Sequence, residues 1–259
     1  MIYYFSGTGN SRWAAQTLAD SLHEHLAFIP DVKSQTITEK DDRTLGIVFP
    51  VNGWMPPKIV RDFIKHLDGT KIDYCYCLIT AGDSIGEAVR VLRHDLKKVN
   101  IRLDAAFSLL MPESYVCMPG FYTDKLEKER KKIDKAKEDL KEFADDILNR
   151  RHVEKTTKGF LPYLLTYVLG IPFNHIFITD KPFKVDTSRC THCGMCAKVC
   201  PVHNITMSDT PEWHKDGTCT NCMACYHHCP VHAINYWTTK KKGQYYFGKN
   251  KQKIKKLET

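Results

Sequence analysis

The sequence lacks the features that direct a chain to export or into a membrane. It begins MIYYFSGTGN, which leaves no room for a charged segment and an apolar run ahead of Ser6, so we expect the chain not to be secreted. A stretch whose apolar length approaches a membrane span runs from Phe160 to Ile178. Prolines and polar residues interrupt that stretch, which predicts a packed interdomain segment, with an interfacial membrane helix as the alternative.

Cysteine is scarce outside one short region. Eight of the 11 cysteines lie between Cys190 and Cys229, and the others are Cys75, Cys77 and Cys117. A disulfide framework would suit a short secreted chain with evenly spread cysteines. The clustering therefore indicates metal ligation in a reducing compartment.

The eight clustered cysteines form the same motif twice. The first copy comprises Cys190, Cys193, Cys196 and Cys200-Pro201, and 29 residues later the second comprises Cys219, Cys222, Cys225 and Cys229-Pro230. Thiolates separated by two residues can reach three corners of an iron–sulfur cubane from one tight loop, whereas the fourth corner needs a distant ligand. Zinc is the alternative for CxxC motifs, but it uses two pairs of ligands rather than a triplet followed by Cys-Pro.

Through this motif, residues 186–238 resemble a two-cluster bacterial ferredoxin. In that pattern the fourth cysteine of each run ligates the other cluster. The resemblance implies one 4Fe-4S cluster on Cys190, Cys193, Cys196 and Cys229, and a second on Cys219, Cys222, Cys225 and Cys200.

Before this region, β-rich runs alternate with helical patterns. Strands are predicted at 2–5, 26–29, 45–50, 74–80 and 105–111, and helices at 11–25, 56–67, 84–99 and 122–150. The alternation predicts an α/β fold: a flavodoxin-like, doubly wound parallel sheet of five strands, followed by a small α+β ferredoxin-like domain. The expected divisions are a flavodoxin-like domain at 1–150, a connector at 151–185, a cluster domain at 186–238 and a basic, solvated tail at 239–259.

A loop of small residues joins the first strand to the first helix. It comprises Ser6, Gly7, Thr8, Gly9, Asn10 and Ser11. The loop lacks the GK[ST] ending of a Walker motif and does not read GxGxxG. Its N–H groups and hydroxyls, placed at a helix N-terminus, suit a phosphate, and the run SGTGNS resembles the FMN phosphate loop of flavodoxins.

Two further loops follow the third and fourth predicted strands, at the edge where doubly wound folds bind ligands. Their candidate FMN-binding residues are Asn52, Gly53 and Trp54, and then Ala81, Gly82 and Asp83. Trp54 is expected either to stack on the flavin or to cover the sheet edge. The second loop lacks the aromatic residue found in many flavodoxins, so either Tyr115 covers that flavin face or the face is open.

The formal net charge of +8 raises the question of a nucleic-acid or membrane partner. Two clusters at about −2 each and an FMN phosphate at about −1.5 to −2 would leave the loaded chain near +2. Neither nucleic acid nor a membrane is therefore expected as a partner.

From end to end, the chain resembles the fused flavodoxin/ferredoxin proteins of anaerobic bacteria and archaea. The resemblance implies FMN, two 4Fe-4S clusters, a cytoplasmic setting and electron transfer between redox partner proteins. We expect the cofactors to couple one-electron and two-electron partners. The alternatives are an FMN-dependent reductase whose own clusters feed electrons to a small substrate, and a redox or iron sensor.

Overall fold

The computed structural model of the chain describes residues 1–32 and 43–251. Its first half is a parallel sheet with strand order β2-β1-β3-β4-β5-β6. The strands are β1 (Ile2–Tyr4), β2 (Leu26–Phe28), β3 (Thr44–Pro50), β4 (Tyr74–Ala81), β5 (Ala105–Leu110) and β6 (Glu154–Lys155). The order 2-1-3-4-5 is that of the flavodoxin-like doubly wound fold, as predicted.

The sixth strand corrects the prediction of five. β6 is only two residues long and pairs in parallel with Ala106 and Phe107 of β5. A polar Glu-Lys pair carries neither alternation nor an apolar run, so no sequence pattern could indicate it.

Helices cover both faces of the sheet. They are α1 (Asn10–Leu22), α2 (Lys58–Ile64), α3 (Ala88–Lys97) and α4 (Leu126–Leu148). Because successive strand residues point to opposite faces, Ile47 and Ile79 belong to a core with α2 and α3. Val48 and Leu78 belong to a second core with α1 and α4. All eight residues of β4 are buried, which is expected of a central parallel strand.

Only part of the connector packs against the rest of the chain, whereas the sequence predicted a packed interdomain segment. After β6, a π-helical turn (Leu164–Gly170) leads into α5 (Ile171–Ile176). Its inner side packs through Thr166, whose hydroxyl accepts from Glu87 N at 2.8 Å. Nine of its large side chains are exposed, namely Phe160, Leu161, Tyr163, Leu164, Tyr167, Val168, Leu169, Ile171 and Ile176. Within the described residues, none of the helices is long and apolar enough to cross a membrane.

The cysteine-rich region forms two short antiparallel pairs and two short helices. These are β7 (Phe183–Val185) with β10 (Ile234–Tyr236), β8 (Ile205–Met207) with β9 (Pro211–Trp213), α6 (Met195–Lys198) and α7 (Ala224–His228). The backbone conformation repeats with the same period as the cysteine motif. Left-handed residues occur at equivalent positions, 29 apart: His192 and Asn221, Gly194 and Met223, and His203 and His232.

The C-terminal segment, defined here as residues 239–251, is not the solvated tail expected from its lysines. Tyr245 is buried, and its hydroxyl contacts Asn10 Oδ1 at 2.6 Å. Phe247 N donates to Thr8 O at 2.8 Å, and the Phe247 ring stacks on Trp13. The aromatic residues between the lysines can be buried against the sheet domain, and their burial positions this segment despite its positive charge. Residues 252–259 of the expected tail lie outside the described residues.

One buried hydroxyl of the sheet gives a stability prediction. Tyr76 is fully buried against Gly46, and its hydroxyl has no hydrogen-bond partner among the described residues. Because an unsatisfied buried hydroxyl costs free energy, Tyr76→Phe should leave the free energy of unfolding unchanged or raise it by about 1 kcal/mol. Urea unfolding followed by far-UV circular dichroism measures this.

The neighbouring Tyr74 provides the matched control. Its hydroxyl donates to Arg151 O at 2.8 Å, so Tyr74→Phe should lower the free energy of unfolding by about 1 kcal/mol. A loss on Tyr76→Phe as large as that on Tyr74→Phe would mean that the Tyr76 hydroxyl has a partner.

Candidate functional site

A cavity of about 560 Å³ lies at the carboxyl edge of the sheet, between the sheet domain and the cysteine-rich region. Eleven of the twelve predicted cofactor-binding residues line it: Ser6, Gly7, Thr8, Asn10, Ser11, Asn52, Gly53, Trp54, Ala81, Gly82 and Asp83. Gly9 is not a lining residue. The loops after β1, β3 and β4 therefore meet in one place, as the carboxyl ends of adjacent parallel strands must.

The loop after β1 is held by its own polar side chains. Asn10 Nδ2 donates to Pro112 O at 3.0 Å, and the Ser11 and Thr80 hydroxyls lie 2.7 Å apart. Gly9, at φ +96°, leaves room for Phe247, whose Cβ would lie 3.0 Å from an added Cβ. Asn10 and Ser11 thus fix the loop, and Gly9 acts by allowing the C-terminal segment to approach.

The loop after β3 is a tight turn fastened to the connector. Asn52 and Met55 exchange backbone hydrogen bonds of 2.9 and 3.1 Å, and Gly53 and Trp54 both have positive φ. This is the pattern of a type I′ turn, which requires positive φ at both central residues, and Gly53 adopts it without steric cost. The Asn174 amide donates to Asn52 O, Gly53 O and Gly170 O at 3.1, 3.3 and 2.8 Å.

The loop after β4 depends on two residues that the sequence analysis missed. Lys132 Nζ donates to Gly82 O at 2.7 Å and pairs with Asp124 at 2.6 Å. Glu113 packs so closely on Gly82 that an added Cβ would lie 2.0 Å from its carboxylate, and burial raises the pKa of Glu113. Glu113 follows β5, so the rule that selected the other loops would also have selected it.

An aromatic wall closes one side of the cavity. The Tyr115 ring lies 5.9 Å from that of Phe173 and 5.3 Å from that of Phe121, in edge-on geometry. Phe173 in turn stacks on Phe177 at 5.6 Å. The connector therefore forms part of the cavity wall.

The cysteine-rich region forms another part of the same wall. Thr220, Asn221, Cys222 and Met223 line the cavity, and Asn52 Nδ2 donates to Thr220 O at 3.2 Å. Gly7 lies directly against Cys222, because a Cβ added at Gly7 would be 2.4 Å from Cys222 Cβ and 2.9 Å from its sulfur. A predicted phosphate-loop residue and a predicted cluster ligand are thus in contact.

The eight cysteines fall into two groups that cross between the motifs. A small separate cavity is lined by Cys190, Cys193, Cys196 and Cys229. The thiols of Cys219, Cys222 and Cys225 all interact electrostatically with Cys200. The ligation of one cluster by each set stays a prediction.

The surroundings of the thiols fit iron–sulfur clusters. Asn204 N donates to Cys200 Sγ at 3.2 Å, and the equivalent Ala233 N donates to Cys229 Sγ at 3.2 Å. Burial raises the pKa of the Cys225 thiol, as expected for a cysteine in apolar surroundings. Among the described residues, no three Cys, His, Asp or Glu side chains converge closely enough to hold a single metal ion.

Comparison with known proteins identifies the cysteine-rich region of the chain. Residues 183–206 and 217–237 each match a model of a 4Fe-4S binding domain. A putative flavoprotein from Bacteroides uniformis is similar, with 19% identity over 42% of this chain and 88% of that one, at a TM-score of 0.34. A flavodoxin from Streptococcus pneumonia TIGR4 has 14% identity over 57% and 96%, at a TM-score of 0.38.

Rubredoxin oxygen:oxidoreductase from Desulfovibrio gigas has 15% identity over 57% of this chain and 36% of that one, at a TM-score of 0.39. A search of curated proteins finds no match. By its strand order and its two 4Fe-4S motifs, the chain has a fused flavodoxin/ferredoxin architecture. The two 4Fe-4S domains indicate a protein of electron transfer, with redox partners.

The three hydrogen bonds of Asn174 predict how firmly the β3 loop is held. Asn174→Ala removes all three, so the amides of residues 52–55 should exchange about tenfold faster with deuterium. Mass spectrometry of the peptide that contains the loop measures this. His175→Ala, at the exposed neighbouring position, is the control and should leave exchange unchanged. Equal rates in the two variants would show that the turn holds itself.

Proposed function

We propose that this chain transfers electrons between an FMN in the large cavity and two 4Fe-4S clusters, and so couples two-electron and one-electron partner proteins. The observation that carries this proposal is the contact between Gly7 and Cys222, because it places the flavin cavity and one thiol set side by side. The domains involved are residues 1–150 for FMN and 186–238 for the clusters, joined by the connector at 151–185.

The FMN would be held by the three loops that line the cavity. The loop at residues 6–11 would take the phosphate at the start of α1, where unpaired backbone N–H groups favour an anion. Trp54 on one side and Tyr115 on another offer aromatic surfaces to the ring. When bound, FMN exchanges one or two electrons and each cluster exchanges one.

The two cluster sites would differ in position. The set of Cys219, Cys222, Cys225 and Cys200 adjoins the flavin cavity through Cys222, and we call it the flavin-side set. The set of Cys190, Cys193, Cys196 and Cys229 includes the exposed Cys193, and we call it the solvent-side set. One-electron partners would therefore meet the solvent-side set.

The aromatic wall favours electron transfer over reduction of a small substrate. The sequence left one flavin face open as the alternative, which would suit a substrate. Tyr115, Phe173 and Phe177 line the cavity, and we infer that these rings would cover that face. A reductase would need these rings to move aside.

Removing the flavin alone tests the proposal. Thr8→Glu places a carboxylate in the loop that would bind the phosphate dianion, so FMN should be lost while both clusters remain. Fully reduced wild-type protein should then deliver about four electrons per chain to cytochrome c, whereas the variant should deliver about two. Absorbance of the reduced haem counts the electrons.

Thr8→Ser keeps a hydroxyl at this position and is the control, which should retain FMN and deliver as many electrons as the wild type. Normal flavin content in Thr8→Glu would remove this loop from the site. An unchanged electron count after loss of the flavin would contradict the assignment of two of the four electrons to FMN.

The crossed ligand sets predict which cysteine variants behave alike. Cys200→Ser should alter the same electron paramagnetic resonance signal as Cys222→Ser, because both ligands would belong to the flavin-side set. Cys229→Ser should match Cys193→Ser instead. Cys117→Ser, outside both sets, should retain both signals. A match between Cys200→Ser and Cys193→Ser would show that each motif binds its own cluster.

A further inference from the structure

Lys242 of the C-terminal segment is buried where the two parts of the chain meet. Only 7% of the residue is exposed. Its Nζ donates to Val116 O at 2.8 Å and also to Met118 O, and it lies 5.2 Å from the centre of the Tyr122 ring. Met118 also lines the flavin cavity. The ammonium group therefore holds the loop that follows β5.

Carbonyl groups and a ring do not neutralise this charge. Within the described residues, no carboxylate lies within 4.0 Å of the Lys242 ammonium. Buried charges are normally paired, because removing an isolated ion from water costs free energy even after the surrounding protein has relaxed. In agreement, burial lowers the pKa of Lys242. The fold thus contains a buried cation that still needs a negative partner.

The negative partner lies on the side of the flavin-side cysteine set. Lys242 donates to the carbonyl groups on both sides of Cys117, and the Cys117 thiol donates to Asn221 Oδ1 at 3.3 Å. Asn221 N in turn donates to Cys219 Sγ at 3.4 Å. A cubane with four thiolates would bring a net charge of about −2 to this place.

We propose that the Lys242 ammonium is the counter-charge of the flavin-side cluster and raises its reduction potential above the value that it would have without Lys242. This inference rests on the proposed function. Reduction adds one electron from the reduced flavin, or from an external reductant, to the cluster and makes it more negative. A cation in low-dielectric surroundings favours that more negative form. The solvent-side cluster, next to exposed Cys193, would be screened by water.

Redox titration of the fully loaded chain, followed by electron paramagnetic resonance, tests the proposal. Cys222→Ser and Cys193→Ser identify the two cluster signals. Lys242→Met removes the charge but keeps the apolar stem, and Lys242→Gln removes the charge but keeps N–H donors for the carbonyl groups. In both, the equilibrium constant for reduction of the flavin-side cluster should fall about tenfold, which is about 59 mV for one electron.

The solvent-side cluster is the internal control and should change less than about twofold, a difference of about 18 mV. Lys242→Arg, which keeps the positive charge, should stay close to the wild type at both clusters. If Lys242→Met fails to take up the flavin-side cluster, the potential of that cluster in Lys242→Gln tests the proposal instead.

Two results would overturn the proposal. An unchanged potential of the flavin-side cluster in Lys242→Gln would make Lys242 only a clamp on the loop after β5. An equal shift of both clusters would point to a general loosening of the junction. Failure of the proposed function is distinguishable, because reduced flavin in the wild type would then not reduce the cluster whose signal Cys222→Ser removes, although a chemical reductant still would.

Discussion

The arrangement of the whole chain depends on one close approach, that of Gly7 to Cys222. No side chain fits at Gly7, because its Cβ would overlap Cys222. Gly7, in the loop that we propose holds the phosphate, is thus also the residue that admits the cysteine-rich region. A single cavity consequently has walls from the sheet domain, the connector and the cysteine-rich region.

The C-terminal segment holds these parts of the chain together. His227 is fully buried, with Nε2 hydrogen-bonded to Ser114 O at 2.7 Å and Nδ1 accepting from Tyr245 N at 3.0 Å. This pattern fits a neutral ring that joins α7, the loop after β5 and the C-terminal segment. Gln244 adds bonds to the carbonyl groups of Tyr226 and Cys229. The segment therefore binds the two parts of the chain to each other around the cavity.

Sequence patterns predicted what is local or repeated, and failed where packing between distant segments decides. The strand order follows from alternating apolar runs, and the 29-residue repeat of cysteines also appears in the backbone conformation. Lys132 was missed because its role depends on its contact with Gly82, which is distant in the sequence. Lys242 was interpreted as one charge of a solvated tail, because composition cannot show that Tyr245 and Phe247 bury that segment.

The central claim is that electrons from the flavin reach the flavin-side cluster before the solvent-side cluster. Flash reduction of the flavin in the fully loaded chain, followed by freeze-quenching and electron paramagnetic resonance, tests it most directly. The account predicts that the signal removed by Cys222→Ser appears first and that the signal removed by Cys193→Ser follows. First appearance of the Cys193-dependent signal would contradict the account.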